Sequence, residues 1–266
     1  MTPEQLQHLL LAAVSRASSS GALPVGAAVA FPVGPLLRPT TPRPSGVVAD
    51  WVTPVAQRWS AALGGEPRAR SLARTLADGL LEERDLATVE VTPTGLLALT
   101  LVPASRARIV EVVLDAPESY AALPGRRHRA VLERAGWCPL DDPLRSVQLA
   151  HARLCRLVRN AAAVGVERGP RSRLGDLHRA TERPLLVAVA DLPQRLAAHA
   201  GDEAAARRAL VELAVLAEAW QEPTRPLVRG ADPDPEHGAR VLLADAVRLV
   251  LRNGLARLGA AAPERM

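Results

Sequence analysis

The sequence predicts a mainly α protein, a small α+β domain followed by an all-α helical bundle. Three observations point there. Hydrophobic residues make up 48% of the chain but aromatics only 2%, so the core must be built from Leu, Val and Ala, which favours helices. From Pro143 onward the apolar residues recur at helical spacing. Two β-type runs around a tight turn occur only upstream of that point.

Taken in order, Thr2 caps a first helix, with Pro3 in its first turn and Gln5 at the capping-box position. That helix should end within 18–21. Residues 27–31 read as a short strand. Residues 36–45 carry Pro39, Pro42 and Pro44 and read as a loop. Residues 50–63 read as a helix stopped by Gly64 and Gly65. A further helix over 68–81 places Leu72, Leu76 and Leu80 on one face. Strands over 88–91 and 96–102 flank a turn at 93–95.

Short helices are expected over 106–114 and 126–135, then a turn and boundary over 136–142 in which Asp141 and Asp142 serve as N-cap residues. The helix over 143–163 carries Val147, Ala150, Leu154, Leu157 and Ala161 as its apolar stripe. Helices over 184–199, 202–220 and 238–258 complete the bundle, with Pro223, Pro226, Pro233 and Pro235 marking one long loop. The domains expected are 1–104 (α+β), 105–140 (a linker with short helices) and 141–266 (helical). No internal repeat is visible.

The 33 basic residues are all arginine, and the net charge is +5. Codon bias in a high-GC genome accounts for the absence of lysine. Its chemical consequence is that no lysine can form a Schiff base or activate a phosphate. An arginine-rich surface suits an anionic partner, because the guanidinium fork donates two parallel hydrogen bonds to phosphate. On the helix over 143–163, Arg145, Gln148, Arg153, Arg156 and Arg159 avoid the apolar stripe and form a polar, cationic flank. A merely solvated face is the ordinary alternative.

Several function classes find no support. No Gly-rich loop precedes a helix, and Gly125, Gly165, Gly169 and Gly175 are scattered. His8, His128, His151, His178, His199 and His237 sit in no triad or metal motif. Asp232, Asp234 and Glu236 alternate with proline and make no calcium loop. Cys138 and Cys155 have neither metal nor disulfide spacing, which fits a reducing compartment. The apolar run over 9–14 is too short for a leader and has no basic segment before it, and no run approaches the ~20 residues a membrane span needs. A cytoplasmic protein with no cofactor, no metal and no membrane partner is expected.

The run Val147-Gln148-Leu149-Ala150-His151-Ala152-Arg153-Leu154-Cys155 resembles the opening helix of the DALR-type anticodon-binding domain of arginyl-tRNA synthetases. The segments Val250-Leu251-Arg252-Asn253-Gly254-Leu255, Leu258-Gly259 and Ala262-Pro263-Glu264-Arg265-Met266 look like that family's C-terminus. Upstream, Asp50-Trp51-Val52-Thr53-Pro54-Val55-Ala56, Val89-Glu90-Val91 and Gly95-Leu96 resemble the family's N-terminal α+β domain, which touches the tRNA elbow. There Leu97-Ala98 stands for the family's Ile-Asn and Pro54 for another Asn, so elbow recognition is not expected to carry over. The family places an ATP-binding Rossmann-type domain between these two parts. Here about forty residues separate Val102 from Arg145, against roughly a hundred or more for a doubly wound nucleotide fold. The family's His-Gly-His signature is missing, and its lysine-bearing loop has no counterpart in a chain without lysine. The chain therefore resembles the compact synthetase-related anticodon-binding proteins of high-GC bacteria.

The resemblance implies a non-catalytic tRNA-binding protein, with arginine tRNA as the candidate RNA. It implies RNA contacts at Arg153, Arg156 and Arg159, at Met266 beside the anticodon, at Gln148 and His151, and at Trp220 with Arg225 in the loop that follows. Ser146 and Leu149 stand where the family often has tyrosines, which removes two stacking surfaces. The alternatives are a relic module that docks on another protein, such as a full-length synthetase, and a shortened arginine-tRNA ligase.

Overall fold

The structure, a computed structural model, describes residues 1–23, 26–40, 49–65, 67–122, 136–166, 168–224 and 235–265. The chain divides into two compact units, Met1–Arg106 and Ala107–Met266.

In the first unit, α1 spans Pro3–Ser19 and starts as its sequence dictates. Gln5 N–H donates to the Thr2 hydroxyl at 3.3 Å, and Thr2 N–H donates to the Gln5 amide oxygen at 2.8 Å. Four strands, β1 Arg38–Pro39, β2 Trp51–Thr53, β3 Leu86–Val91 and β4 Leu97–Leu101, form an antiparallel sheet in the order β1-β2-β4-β3. Central β4 is the apolar strand, with Leu97, Ala98, Leu99 and Leu101 all buried, while β3 at the edge keeps Glu90 in water. Helices α2 (Val55–Ala62) and α3 (Ala69–Leu80) pack together, and α3 buries Leu72, Leu76 and Leu80 as its spacing predicts.

Two expectations are corrected in this unit. Residues 50–63 are not one helix. Trp51, Val52 and Thr53 form β2, because aromatic and β-branched residues suit a pleated surface and Pro54 pushes the residue before it toward extended backbone. Residues 27–31 are not a strand. Ala27–Ala30 make one 3-10 turn, and the Trp59 indole N–H donates to the Ala27 carbonyl at 2.9 Å. The loop expected over 36–45 contains the two-residue β1, and its residues 41–45 lie outside the described residues. Asp50 is buried and accepts both forks of Arg106, at 3.0 and 2.9 Å, together with Leu101 N–H at 2.7 Å. One ion pair thus ties the start of β2 to the end of β4 and the start of α4 (Pro103–Asp115).

The second unit is helical. It contains α5 (Leu144–Ala163), a 3-10 segment (Arg171–Asp176), α6 (Glu182–Ala198), α7 (Glu203–Thr224) and α8 (Pro235–Arg257). Helix α5 packs on α7 and α8, and α6 packs on α7. The helix expected over 126–135 lies outside the described residues, as do residues 225–234 of the long loop. Of the prolines expected to mark that loop, Pro223 lies instead in the last turn of α7, and Pro235 is the first residue of α8, where a missing N–H costs no helical hydrogen bond.

Two local features show how this bundle closes. Pro193 lies inside α6 and has no N–H for the Val189 carbonyl one turn earlier. The buried Tyr120 hydroxyl supplies the missing donor at 2.9 Å. At Gly254 in α8, an added Cβ would stand 2.3 Å from a methyl of buried Leu210 in α7, so a larger residue here would have to displace the Leu210 side chain. Its neighbour Asn253, wholly buried, donates to the carbonyls of Pro117 and Tyr120, both at 2.9 Å.

Candidate nucleic-acid interface

The first turn of α5 is held by Asp142. Its carboxylate accepts Leu144 N–H at 2.8 Å and an Arg207 guanidinium N–H at 3.1 Å. Along the helix, buried Val147, Ala150, Leu154, Leu157 and Ala161 face the bundle. At about 100° per residue, Arg145, Arg153, Arg156 and Arg159 then fall within an arc of about 120° on another side. The four arginines of the flank read from the sequence therefore share one helix face, whereas Gln148, read there with them, is buried and turned away from it.

A second face of α5 holds the C-terminal segment. Helix α8 ends in a Schellman turn, with Gly259 at φ +71°, Gly259 N–H on the Ala256 carbonyl at 3.1 Å and Ala260 N–H on the Leu255 carbonyl at 2.9 Å. The left-handed glycine turns the chain, and residues 260–265 run along α5. Three α5 side chains grip its carbonyls: Gln148 Nε2 donates to Ala261 at 2.8 Å, His151 Nδ1 to Pro263 at 3.0 Å and an Arg159 Nη to Glu264 at 3.0 Å. Gln148 also accepts Cys138 N–H at 2.7 Å and donates to the Gly136 carbonyl at 3.3 Å, so one buried amide joins three segments.

His151 is 1% exposed, and burial pushes its pKa down from 6.5 to about 4. It is therefore neutral near pH 7. The Pro263 carbonyl can only accept, so the proton sits on Nδ1. The bare Nε2 faces the Cys155 sulfur at 3.6 Å. Burial raises the Cys155 pKa, so its thiol stays protonated.

The stability linkage follows from these values. The unfolded imidazole takes a proton near pH 6.5, whereas the folded one resists until about pH 4. The contribution is intact above pH 6.5 and is lost progressively as pH falls toward 4, about 3 kcal/mol in all. Between pH 7 and 4.5 the native protein should lose about 2 kcal/mol more in denaturant titrations than a His151→Gln variant. Identical pH profiles for the two proteins would contradict the linkage.

The sequence-predicted site residues divide into three groups. Arg153, Arg156 and Arg159 are exposed. Arg153 pairs with Glu218 of α7, but this pair is open to water, with side chains 48% and 37% exposed, and such pairs hold their partners weakly. Arg156 has no hydrogen-bond or ion-pair partner among the described residues. Gln148, His151 and Trp220 are buried, at 0%, 1% and 0% exposure. The first two act on the C-terminal segment, and Trp220 lies inside the bundle, turned away from solvent. Arg225 and Met266 lie outside the described residues.

Sequence reasoning passed over Trp137, although the structure sets it beside this region. Its half-buried ring lies 4.2 Å beneath the Arg145 guanidinium. The sequence placed Trp137 in a turn next to a helix start, which predicts nothing about what its ring meets. Among the described residues, no three or more His, Cys, Asp or Glu side chains gather as a metal-holding group, and no helix is long and apolar enough to cross a membrane.

Residues 147–266 match the DALR anticodon binding domain model. The chain is similar to the arginine–tRNA ligase of Clavibacter sepedonicus, 39% identical over 129 residues covering 47% of this chain and 23% of that relative. It is similar to the arginine–tRNA ligase of Frankia alni, 39% identical over 132 residues covering 47% of this chain and 24% of that relative. It is also 38% identical over 130 residues to the ligase of Kineococcus radiotolerans, covering 47% and 23%. The chain thus spans about a quarter of the length of these relatives.

Proposed function

We propose, from the premise that residues 147–266 form a DALR anticodon binding domain related to that of arginine–tRNA ligases, that this cytoplasmic protein binds tRNA through that domain and does not aminoacylate it. The observation that carries the reading is the guanidinium face of α5. Among the described residues, Arg156 stands without a protein partner, Arg153 pairs with an exposed carboxylate alone, and Arg159 keeps a neutral carbonyl as its partner. Such donors suit the phosphates and splayed bases of a single-stranded loop.

Each residue then has its own role. Arg153 and Arg156 meet the RNA directly. Arg159 does so from the edge of the face while holding the C-terminal segment. Gln148 and His151 position that segment, and Met266 at its tip is assigned to the anticodon. Arg225 is assigned a further cationic contact with the RNA, and Trp220, buried in the bundle, acts on the helices around it rather than on the RNA. The reading without catalysis rests on sequence, because the chain has no lysine and no Gly-rich phosphate loop.

Mobility-shift titration with arginine tRNA and an anticodon-changed control tests this. Tighter binding of arginine tRNA is expected, with arginine-dependent pyrophosphate exchange at background. Equal affinity for both RNAs would remove anticodon reading from the account, and exchange above background would overturn the absence of catalysis.

A further inference from the structure

The chain has six aromatic residues. Five are buried: Trp51, Trp59 and Trp220 at 0% exposure, and Phe31 and Tyr120 at 9%. Trp137 alone presents part of its ring to solvent. In a protein so poor in aromatics, a half-exposed indole is costly in apolar area and needs a reason.

The ring is also held in place. Its two neighbours in the chain are fixed by one buried side chain, Gln148, which donates to the Gly136 carbonyl and accepts Cys138 N–H. Arg145 Nη1 donates to the Cys138 carbonyl at 3.2 Å, which lays the guanidinium over the indole. Arg145 has no carboxylate in ion-pair contact among the described residues, so no acidic side chain neutralises its charge there. Arg145 shares a face of α5 with Arg153 and Arg156. The same Gln148 holds the C-terminal segment, so ring, cations and chain end are built around one amide.

We propose that the Trp137 ring, braced by the Arg145 guanidinium, is a stacking platform for an unpaired base of the bound RNA loop. This rests on the tRNA-binding reading above. A planar ring on a fixed backbone stacks any base with little ordering cost, and an adjacent cation strengthens the stack and meets the phosphate beside it. The platform adds affinity for unpaired bases that arginine–phosphate attraction cannot supply.

The test uses the full chain, an arginine-tRNA anticodon stem-loop and the same stem-loop with an abasic loop. Trp137→Ala is expected to lose about tenfold in affinity for the intact loop and less than about twofold for the abasic one. Trp137→Phe, which keeps a ring, is expected to stay within about threefold of the native protein. Equal binding of the intact loop by native protein and Trp137→Ala would overturn the platform while leaving the tRNA reading standing. No binding of either stem-loop or of whole tRNA by the native protein would overturn both.

A second measurement needs no variant. Trp137 is the tryptophan that acrylamide can reach, so the intact stem-loop should protect native fluorescence from quenching and the abasic one should not. Protection by a full-length synthetase with none by RNA would overturn the proposal in favour of a protein interface.

Discussion

Replacing Arg153, Arg156 and Arg159 together with glutamine is expected to lower tRNA affinity about a hundredfold near 0.1 M salt, from the loss of two to three charge-assisted contacts. The same variant should make the dependence of log K on log salt shallower by about 2, since each lost phosphate contact releases fewer counterions. The structure suggests that the fold survives this change. All three side chains are exposed, and their partners are an exposed carboxylate and one carbonyl. Affinity within twofold of the native protein, with an unchanged salt slope, would move the RNA site away from α5.

The second large effect lies in the bundle interior. Arg240 of α8 is 2% exposed and donates to Glu182 at 3.1 Å and to Glu236 at 2.5 Å, while Glu182 is 0% exposed and also accepts Arg179 N–H at 2.8 Å. Arg240→Leu strands the Glu182 carboxylate in a low-dielectric interior and should cost about 3–5 kcal/mol. Combining it with Glu182→Leu should recover part of that loss, because no charge is then left buried alone. Hydrogen exchange along α8 provides the measurement, with faster opening in the single variant and partial recovery in the double. A single variant as protected as the native protein would show that the pair carries no structural weight. This pair was not legible in the sequence, since Glu182 and Arg240 are 58 residues apart and only the helix packing brings them together.

Periodicity revealed most of the helical half. Helices α5 to α8 begin and end close to their expected limits, because a 3.6-residue apolar repeat over four or more turns leaves few alternatives. The N-terminal unit was harder. Only Pro54 separates Trp51, Val52 and Thr53 from a helix, and their strand exists because β1 and β4 lie on either side, a partnership that local pattern does not encode. The segment Ala27–Ala30 carries no periodic signal and takes its form from Gly26, at φ +81°, and from Trp59.

The candidate site was legible in part. A cationic flank could be read from the spacing of its arginines. The role of Gln148 and His151 could not, because their partners are backbone carbonyls more than a hundred residues away, at Ala261 and Pro263. A motif marks such residues as belonging to the site, and only the structure shows what their polar atoms touch. The buried position of Trp220 and the half-exposed position of Trp137 likewise follow from packing, since both are single aromatics with no repeat around them.

On the reading proposed above, the arginine face of α5 engages the tRNA backbone and loop. Titrating the native protein with arginine tRNA from 50 to 300 mM salt tests it most directly. A linear fall of log K with log salt is expected, with a slope of about −2 or steeper, and a shallower slope for the triple arginine variant. Binding that is absent at the lowest salt, or an affinity that does not change with salt, would contradict it.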